Sequence, residues 1–251
     1  MIERKLLTTG NPKTAKGEGL GYLTAILHLA PFDLSGRNVC PDATAQCVAL
    51  CLNTAGRGGI FAKGETTNAI QRARIRKTRY FFANRSTFLA QLANEIRCHV
   101  RNAKRHGLTP AIRLNGTSDL AFERFARGLF EAFPDVTFYD YTKSFQRMSS
   151  YLNQNDWPKN YSLTFSRSES NAKECSRVLA SGGNVAVVFS TRQGETLPAK
   201  WNGYRIIDGD TTDLRFLDPF RVIVGLRAKG KAKHQEFQTP GGFVVTVERT
   251  A

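Results

Sequence analysis

The feature that most constrains the fold is a unit that recurs along the chain. Each unit is a short apolar run, a polar cluster where the run ends, and a segment with helical spacing of apolar residues. After a first apolar run at 21–30, such units begin at 110, 136, 161 and 184. Strands that alternate with helices form parallel sheets covered by helices. The sequence therefore predicts an α/β fold, which we interpret as a parallel, partial β/α barrel with extra C-terminal strands.

We expect a single domain over residues 1–251, because no Pro/Ser-rich linker, internal repeat or low-complexity block divides the chain. Residues 1–19 are polar and rich in Gly and Lys, which is typical of a loosely held N-terminal arm. Residues 20–200 carry the βα units. Residues 201–251 contain short apolar runs with little helix between them, and these strands are expected to close or extend the sheet.

The cellular location follows from two absences in the sequence. No stretch approaches eighteen consecutive apolar residues, so we expect no membrane span. The first ten residues lack the apolar core and cleavage site of a secretory signal, which predicts a cytoplasmic protein. In that reducing compartment, five cysteines are expected to be thiols or metal ligands rather than a disulfide framework.

Three of those cysteines crowd together directly after the first predicted strand. Cys40, Cys47 and Cys51 fall within twelve residues. Structural zinc needs four protein ligands and usually shows paired cysteine knuckles, and no fourth Cys or His is close in the sequence. Three thiolates suit a [4Fe–4S] cluster whose fourth position is open or filled by a remote residue such as Cys98 or Cys175. We therefore predict cluster ligation by the three crowded cysteines, with zinc or plain buried cysteines as alternatives.

Polar side chains stand where the predicted strands end. In parallel α/β architectures, ligands bind at the carboxyl ends of the strands. The candidate catalytic or ligand-orienting residues at these ends are Asn115, Ser118, Asp119, Asp140, Lys143 and Arg167. Loops are polar in any such fold, so an ordinary solvated edge is the alternative.

The net charge points to a polyanionic partner. The chain has 36 Lys and Arg against 21 Asp and Glu, a net charge of +15. Nucleic acid is the polyanion that a basic protein most commonly binds. One helical segment concentrates the charge just before three aromatic residues at 80–82, and its predicted nucleic-acid contacts are Arg72, Arg74, Arg76, Lys77 and Arg79. A merely basic soluble protein is the alternative.

Three motifs together resemble a known family. They are C-P-D-A-T-A-Q-C-V-A-L-C from Cys40 to Cys51, L-N-G-T-S-D from Leu114 to Asp119, and Y-D-Y-T-K from Tyr139 to Lys143. The combination resembles an uncharacterised protein family encoded largely by bacteriophages and mobile elements, over about residues 11–225. That resemblance implies a phage-type accessory protein in the host cytoplasm, and it brings no established activity.

More distantly, the chain is similar to radical S-adenosylmethionine enzymes. These place three cluster-binding cysteines after the first strand of a partial (β/α) barrel. The similarity implies a [4Fe–4S] cluster on Cys40, Cys47 and Cys51, and S-adenosylmethionine as a further ligand. The spacing here is C-x6-C-x3-C rather than C-x3-C-x2-C, and N-G-T-S-D at 115–119 stands where Gly-Gly-Glu is usual.

Two functions are compatible with these features. The first is an iron–sulfur protein of the phage-type family, with its cluster at the mouth of a radical-S-adenosylmethionine-like barrel and an unknown reaction. The second is a basic nucleic-acid-binding protein in which the cluster, or zinc, is structural. The sequence leaves the reaction, the substrate and the oligomeric state open.

Overall fold

A ten-stranded, mostly parallel sheet forms the centre of the computed structural model, which describes residues 3, 5–10, 16–154 and 156–247. The strands are β1 (Leu7–Thr8), β2 (Tyr22–Leu27), β3 (Thr109–Arg113), β4 (Thr137–Thr142), β5 (Tyr161–Ser166), β6 (Val185–Phe189), β7 (Lys200–Trp201), β8 (Tyr204–Asp208), β9 (Ile223–Arg227) and β10 (Val244–Val245). Their order across the sheet is β1-β2-β3-β4-β5-β6-β9-β8-β7, and β10 pairs with β6. The pairs β1–β2 and β7–β8 are antiparallel, and the other pairs are parallel.

The sheet is open. Its two ends are β1 and β7, and no pairing joins these ends in the described part of the chain. The α/β class and the mostly parallel sheet are confirmed, whereas the predicted barrel does not close. Both ends are two-residue antiparallel strands, and such short edge strands terminate a sheet rather than continue it.

Seven α-helices that begin and end inside the described residues lie between the strands. They are α1 (Ala45–Ala49), α2 (Ala69–Ala83), α3 (Arg85–Arg105), α4 (Phe122–Phe125), α5 (Arg127–Glu131), α6 (Phe145–Leu152) and α7 (Ala172–Ala180), within the described residues. Aromatic rings join the helices to one another: the Phe81 ring centroid lies 5.3 Å from that of Phe88 and 5.6 Å from that of Phe125. Together with Ile112 and Phe138 of the sheet they belong to the main hydrophobic core.

The opposite face of the sheet is covered by the segment between β8 and β9, residues 209–222. Because β8 and β9 are parallel, this segment must run from the carboxyl end of β8 back to the edge of the sheet where β9 begins. Its Phe216 ring packs 5.0 Å from Tyr22 and 5.3 Å from Tyr139, and Leu214 is buried beside them. The C-terminal quarter of the chain therefore both extends the sheet and covers one of its faces.

Part of the predicted N-terminal arm, 1–19, is packed rather than loose. Leu6 is fully buried, and Leu7–Thr8 pairs with β2. The Glu95 carboxylate accepts the backbone N–H groups of Leu6 and Leu7, each at 2.8 Å, and Lys77 donates to the Leu6 carbonyl at 2.7 Å. Apolar side chains and satisfied backbone groups hold this piece in place. Residues 1, 2, 4 and 11–15 of the arm lie outside the described residues.

Candidate functional site

A cavity of about 290 Å³ lies at the carboxyl ends of the central strands. Its lining includes the three crowded cysteines, Cys40, Cys47 and Cys51. It also includes five of the six predicted polar site residues, which are Asn115, Ser118, Asp119, Lys143 and Arg167. The covering segment contributes Asp210, Thr212 and Asp213. The parallel sheet thus brings together residues that are distant in sequence, at the edge where such folds bind ligands.

Helix α1 holds Cys47 through a cap and a carboxylate. Thr44 is the N-cap and accepts the backbone N–H of Cys47 at 3.3 Å. Glu169, in the loop after β5, accepts the Thr44 hydroxyl at 2.8 Å and the Gln46 N–H at 3.0 Å. A carboxylate at this helix end also suits the partial positive charge of the backbone there. The Gln46 side chain in turn accepts the N–H of Phe243 at 2.7 Å, which ties α1 to the C-terminal segment.

Cys40 is held against the N-G-T-S-D loop. Its Sγ accepts the N–H of Phe32 at 3.4 Å and lies 3.9 Å from the carbonyl oxygen of Thr117. The loop is also bonded to the cysteine stretch through the backbone, since Asp119 donates its N–H to the Val39 carbonyl at 2.8 Å. The position of this thiol therefore depends on the loop that follows β3.

The three thiols at the cavity are close enough to influence one another electrostatically. Burial raises the pKa of Cys40 to about 12, and negative charge on Cys51 and Cys47 acts in the same direction. Burial likewise raises the pKa of Cys51, with Cys47 adding to the effect. Within the described residues, no three Cys, His, Asp or Glu side chains are arranged to hold a single metal ion. Cys98 is exposed on α3 and Cys175 is buried on α7, and neither lines the cavity.

The N-G-T-S-D and Y-D-Y-T-K motifs meet in a buried hydrogen-bond network. Asp140 is fully buried and accepts the Asn115 backbone N–H at 2.7 Å, its side-chain amide at 3.0 Å and the Tyr161 hydroxyl at 2.8 Å. Asn115 Oδ1 accepts the hydroxyl of Ser118 and the N–H of Leu120, both at 2.8 Å. Unlike the other five predicted site residues, Asp140 lies outside the cavity lining, and its carboxylate is bonded within the chain.

Arg147 of α6 completes this network. Its guanidinium donates to both carboxylate oxygens of Glu123, at 2.8 and 2.9 Å, and to the Tyr161 hydroxyl at 2.9 Å. It also donates to Asp119, whose other oxygen accepts the backbone N–H of Lys143 at 2.8 Å. Sequence reasoning missed Arg147, Glu123 and Tyr161, because nothing local distinguishes an arginine that turns inward from one on a solvated helix face.

Comparison with known protein families identifies the family of this chain. A family model described as gene product 88 matches residues 3–239. The chain belongs to the gene product 88 family. The matched region contains the cysteine stretch, both polar motifs and the strand ends that line the cavity. Membership agrees with the predicted phage-type family. Neither the curated proteins nor the solved structures give a match. Among the described residues of this family member, no helix has both the length and the apolar content needed to cross a membrane.

The predicted nucleic-acid-binding helix of this gene product 88 protein is largely engaged by its own fold. Arg74 is bonded to the side chain of Asn53, and Lys77 is buried against the N-terminal strand. The remaining predicted contacts also have partners in the chain: Arg72 pairs with Glu65, Arg76 with Glu3, and Arg79 donates to the Ser35 carbonyl. Tyr80 and Phe81 are buried in the core. Arg72, Arg76 and Arg79 are nevertheless exposed, whereas Arg74 and Lys77 are turned towards other parts of the chain, so the five residues do not form one free face.

The buried carboxyl of Asp140 is expected to make the stability of the fold depend on pH. Burial raises its pKa from 3.8 to about 6, although Arg113 and its hydrogen-bond donors oppose the rise. A carboxyl whose pKa is higher in the folded state stabilises the fold at low pH, and that contribution disappears as pH rises through the folded pKa. We expect the free energy of unfolding of the wild type, relative to Asp140→Asn, to fall by about 1 kcal/mol between about pH 5 and about pH 7. Urea denaturation of both proteins measures this difference, and a pH-independent difference would contradict it.

Proposed function

We propose that this gene product 88 protein is an iron–sulfur protein that holds a [4Fe–4S] cluster through Cys40, Cys47 and Cys51. The observation that carries the proposal is that all three cysteines line one cavity together with the polar strand ends. All three are free thiols and half-buried, so they are both protected and within reach of the cavity. A bound cluster would supply a redox-active iron centre at this place. The residues of the chain would hold a small molecule beside it.

The donor set fits a cluster better than a single zinc ion. Zinc requires its cysteine sulfurs about 2.3 Å from one point. Structural zinc also takes four protein ligands, whereas the cavity brings together three cysteines. A four-iron cluster is bonded through separate irons, so its thiolates are spaced more widely. The N–H of Phe32 that points at Cys40 Sγ, at 3.4 Å, is the kind of hydrogen bond that tunes such a centre.

Three cysteines at the cavity would leave one cluster position without a cysteine. Cys98 and Cys175, the remote candidates, do not line the cavity. We therefore propose that a ligand in the cavity, rather than a fourth cysteine, completes the site. S-adenosylmethionine is the first molecule to test, because of the resemblance to enzymes that bind it at such a cluster. S-adenosylmethionine binding and cleavage are part of the proposal, and the three cysteines are the only feature of the chain that supports them.

The test is anaerobic purification and reconstitution, followed by iron, sulfide and zinc analysis and by electron paramagnetic resonance. We expect about four irons per chain in the wild type and a loss of most iron in Cys40→Ala, Cys47→Ala and Cys51→Ala. Cys98→Ala is the matched control and should bind iron as the wild type does, since Cys98 is exposed on α3. A wild type without iron would refute the proposal. If the wild type instead contained about one zinc per chain, the three cysteines would be zinc ligands. Cleavage of S-adenosylmethionine by the reconstituted protein would support the enzymatic extension.

Nucleic-acid binding with a structural cluster or zinc is the second candidate. The net charge of +15 favours it. It ranks below the first candidate because Arg74 and Lys77 are engaged within the fold, and because Tyr80 and Phe81 are buried where bases cannot stack on them. Fluorescence titration with a single-stranded oligonucleotide at several salt concentrations tests it. An affinity that does not fall with salt would exclude phosphate recognition.

A further inference from the structure

The cavity is lined by more positive than negative side chains. Its cations are Lys16, Arg113, Lys143, Arg167, Arg227 and Lys229, and its carboxylates are Asp119, Asp210 and Asp213. A partly enclosed space with excess charge of one sign attracts ligands of the opposite sign, because low-dielectric walls strengthen the field. Which of these cations is available depends on how the carboxylates are used.

Each lining carboxylate has a cation of its own. Asp213 pairs with Arg113 at 3.2 Å. Asp210 pairs with Arg227 at 3.4 Å, and Lys229 contacts its other oxygen. The third, Asp119, is paired with Arg147, which does not line the cavity. Arg227 also pairs with Asp208 at 2.8 Å, so Asp208, Asp210 and Asp213 balance the lining cations Arg113, Arg227 and Lys229, and these pairs add little to the charge that a ligand would meet.

The exposed Lys16 donates to the Asp210 carbonyl. Lys143 and Arg167 differ from the three paired cations, Arg113, Arg227 and Lys229. Neither forms an ion pair with a carboxylate in the part of the chain that the structure describes. The Lys143 ammonium lies 5.2 Å from the centroid of the Phe243 ring. Arg167 is more than nine-tenths buried and donates to the carbonyls of Gly242 and Phe243, yet its Nε has no hydrogen-bond partner. A buried donor without a partner is costly to the fold unless something else satisfies it.

Both cations lie at the same strand-end edge of the sheet, and both contact Phe243. Lys143 directly follows β4 and Arg167 directly follows β5, and the two strands are adjacent and parallel, with Thr142 opposite Phe165. Neighbouring strands lie about 4.8 Å apart, so the chain leaves the two strands at neighbouring positions, and both side chains line the cavity. The backbone of Lys143 is fixed by Asp119, as described above, so both polar motifs serve to hold it at the cavity.

We propose that the cavity binds a small organic anion and that Lys143 and Arg167 bind its acidic group, a carboxylate or a phosphate. Ammonium and guanidinium groups form charge-assisted hydrogen bonds with both kinds of acid. The volume, about 290 Å³, suits a small molecule rather than a polymer. As a statement about the substrate, this inference rests on the proposed function, since it places the anion beside the three cysteines. The competing explanation is that Lys143 merely offsets negative charge on Cys51.

The experiment is isothermal titration of the reconstituted protein with adenosine 5′-monophosphate, inorganic phosphate and succinate, with adenosine as the uncharged control. We expect the anions to bind and adenosine to bind more weakly, and the tighter of the phosphate and succinate probes identifies the acidic group. Lys143→Met should weaken anion binding at least about tenfold, and Lys143→Arg should restore part of it. Lys104→Met, at an exposed lysine of α3 outside the cavity, is the matched control and should leave binding unchanged.

Iron content, measured on the same samples, separates the two explanations. Lys143→Met that keeps its iron and loses the anion supports the inference. Lys143→Met that folds but loses its iron shows that the lysine serves the cysteines, which overturns the inference and leaves the cluster standing. A wild type that binds no anion also overturns it. A wild type that binds anions through Lys143 but takes up no iron refutes the proposed function and leaves the anion site in place.

Discussion

Replacing Arg147 by methionine is expected to lower the free energy of unfolding by about 3–5 kcal/mol, which is typical when one partner of a buried ion pair is removed. The arginine side chain is 3% exposed and pairs with Glu123, 6% exposed, and Asp119, 12% exposed. Methionine fills much of the same volume but donates no hydrogen bond. The carboxylate of Glu123 would then stay buried without a cation, and that unpaired charge is the main source of the loss.

Chemical denaturation of the wild type and Arg147→Met measures this effect. Arg124→Met is the matched control, because Arg124 is an exposed residue of the neighbouring helix α4, and it should change the stability by less than about 0.5 kcal/mol. Arg147→Lys should fall between the two, since lysine keeps the charge but lacks the two-pronged geometry that binds Glu123. A loss below about 1 kcal/mol in Arg147→Met would show that the network is solvated rather than buried.

The network also explains why the two polar motifs belong together. Asp119, at the end of the first motif, is bonded to Arg147 through one oxygen and to the backbone of Lys143, the end of the second motif, through the other. Asp140, inside the second motif, is bonded to Asn115 of the first. The motifs thus fix each other, and of their charged residues only Lys143 is left without an ion pair among the described residues. Asp119 and Asp140 thus have structural roles, and the proposed ligand-binding role falls on Lys143.

The strand–helix alternation could be predicted because it is encoded locally. Each strand carries its own apolar run, and each helix its own periodic face, so β2 to β6 fall where the pattern placed them. The openness of the sheet could not be predicted in the same way. It depends on which strands stand at the edges and on the path of residues 209–222, and both are set by contacts between distant parts of the chain.

In the candidate site, too, some features could be predicted from the sequence and others depend on contacts between distant residues. The parallel sheet brings the strand ends to one edge, so Cys40 and Lys143 could be expected near one another although 103 positions apart in the printed sequence. The burial of individual polar residues could not be predicted from the sequence. The Asp140 carboxylate accepts the hydroxyl of Tyr161, and Lys77 donates to the carbonyl of Leu6, just before β1. In each case the partner comes from elsewhere in the chain. A polar or basic residue looks alike in sequence whether it faces solvent or completes the interior.

Gly116→Ala is expected to destabilise the protein by about 1–3 kcal/mol, because a methyl group here has no room. It would lie 2.6 Å from Ile26 Cγ2, 2.7 Å from His28 Cδ2 and 2.8 Å from the carbonyl oxygen of Leu27. The same carbonyl accepts the N–H of Gly116 at 2.9 Å, so the loop cannot move away from β2 without losing that bond. The glycine of N-G-T-S-D is therefore required by close packing of two neighbouring chain segments.

The same substitution is expected to reduce iron uptake, because this loop supports Cys40. Thr117 follows Gly116 directly, and its carbonyl lies against the Cys40 thiol. Gly128→Ala is the matched control: a methyl group at Gly128, in helix α5, would meet nothing within 4 Å and should be neutral or slightly stabilising. Denaturation and iron analysis of both variants measure the two effects. Gly116→Ala with normal stability would contradict the packing argument, whereas lowered stability with full iron content would show that Cys40 tolerates displacement of the loop beside it.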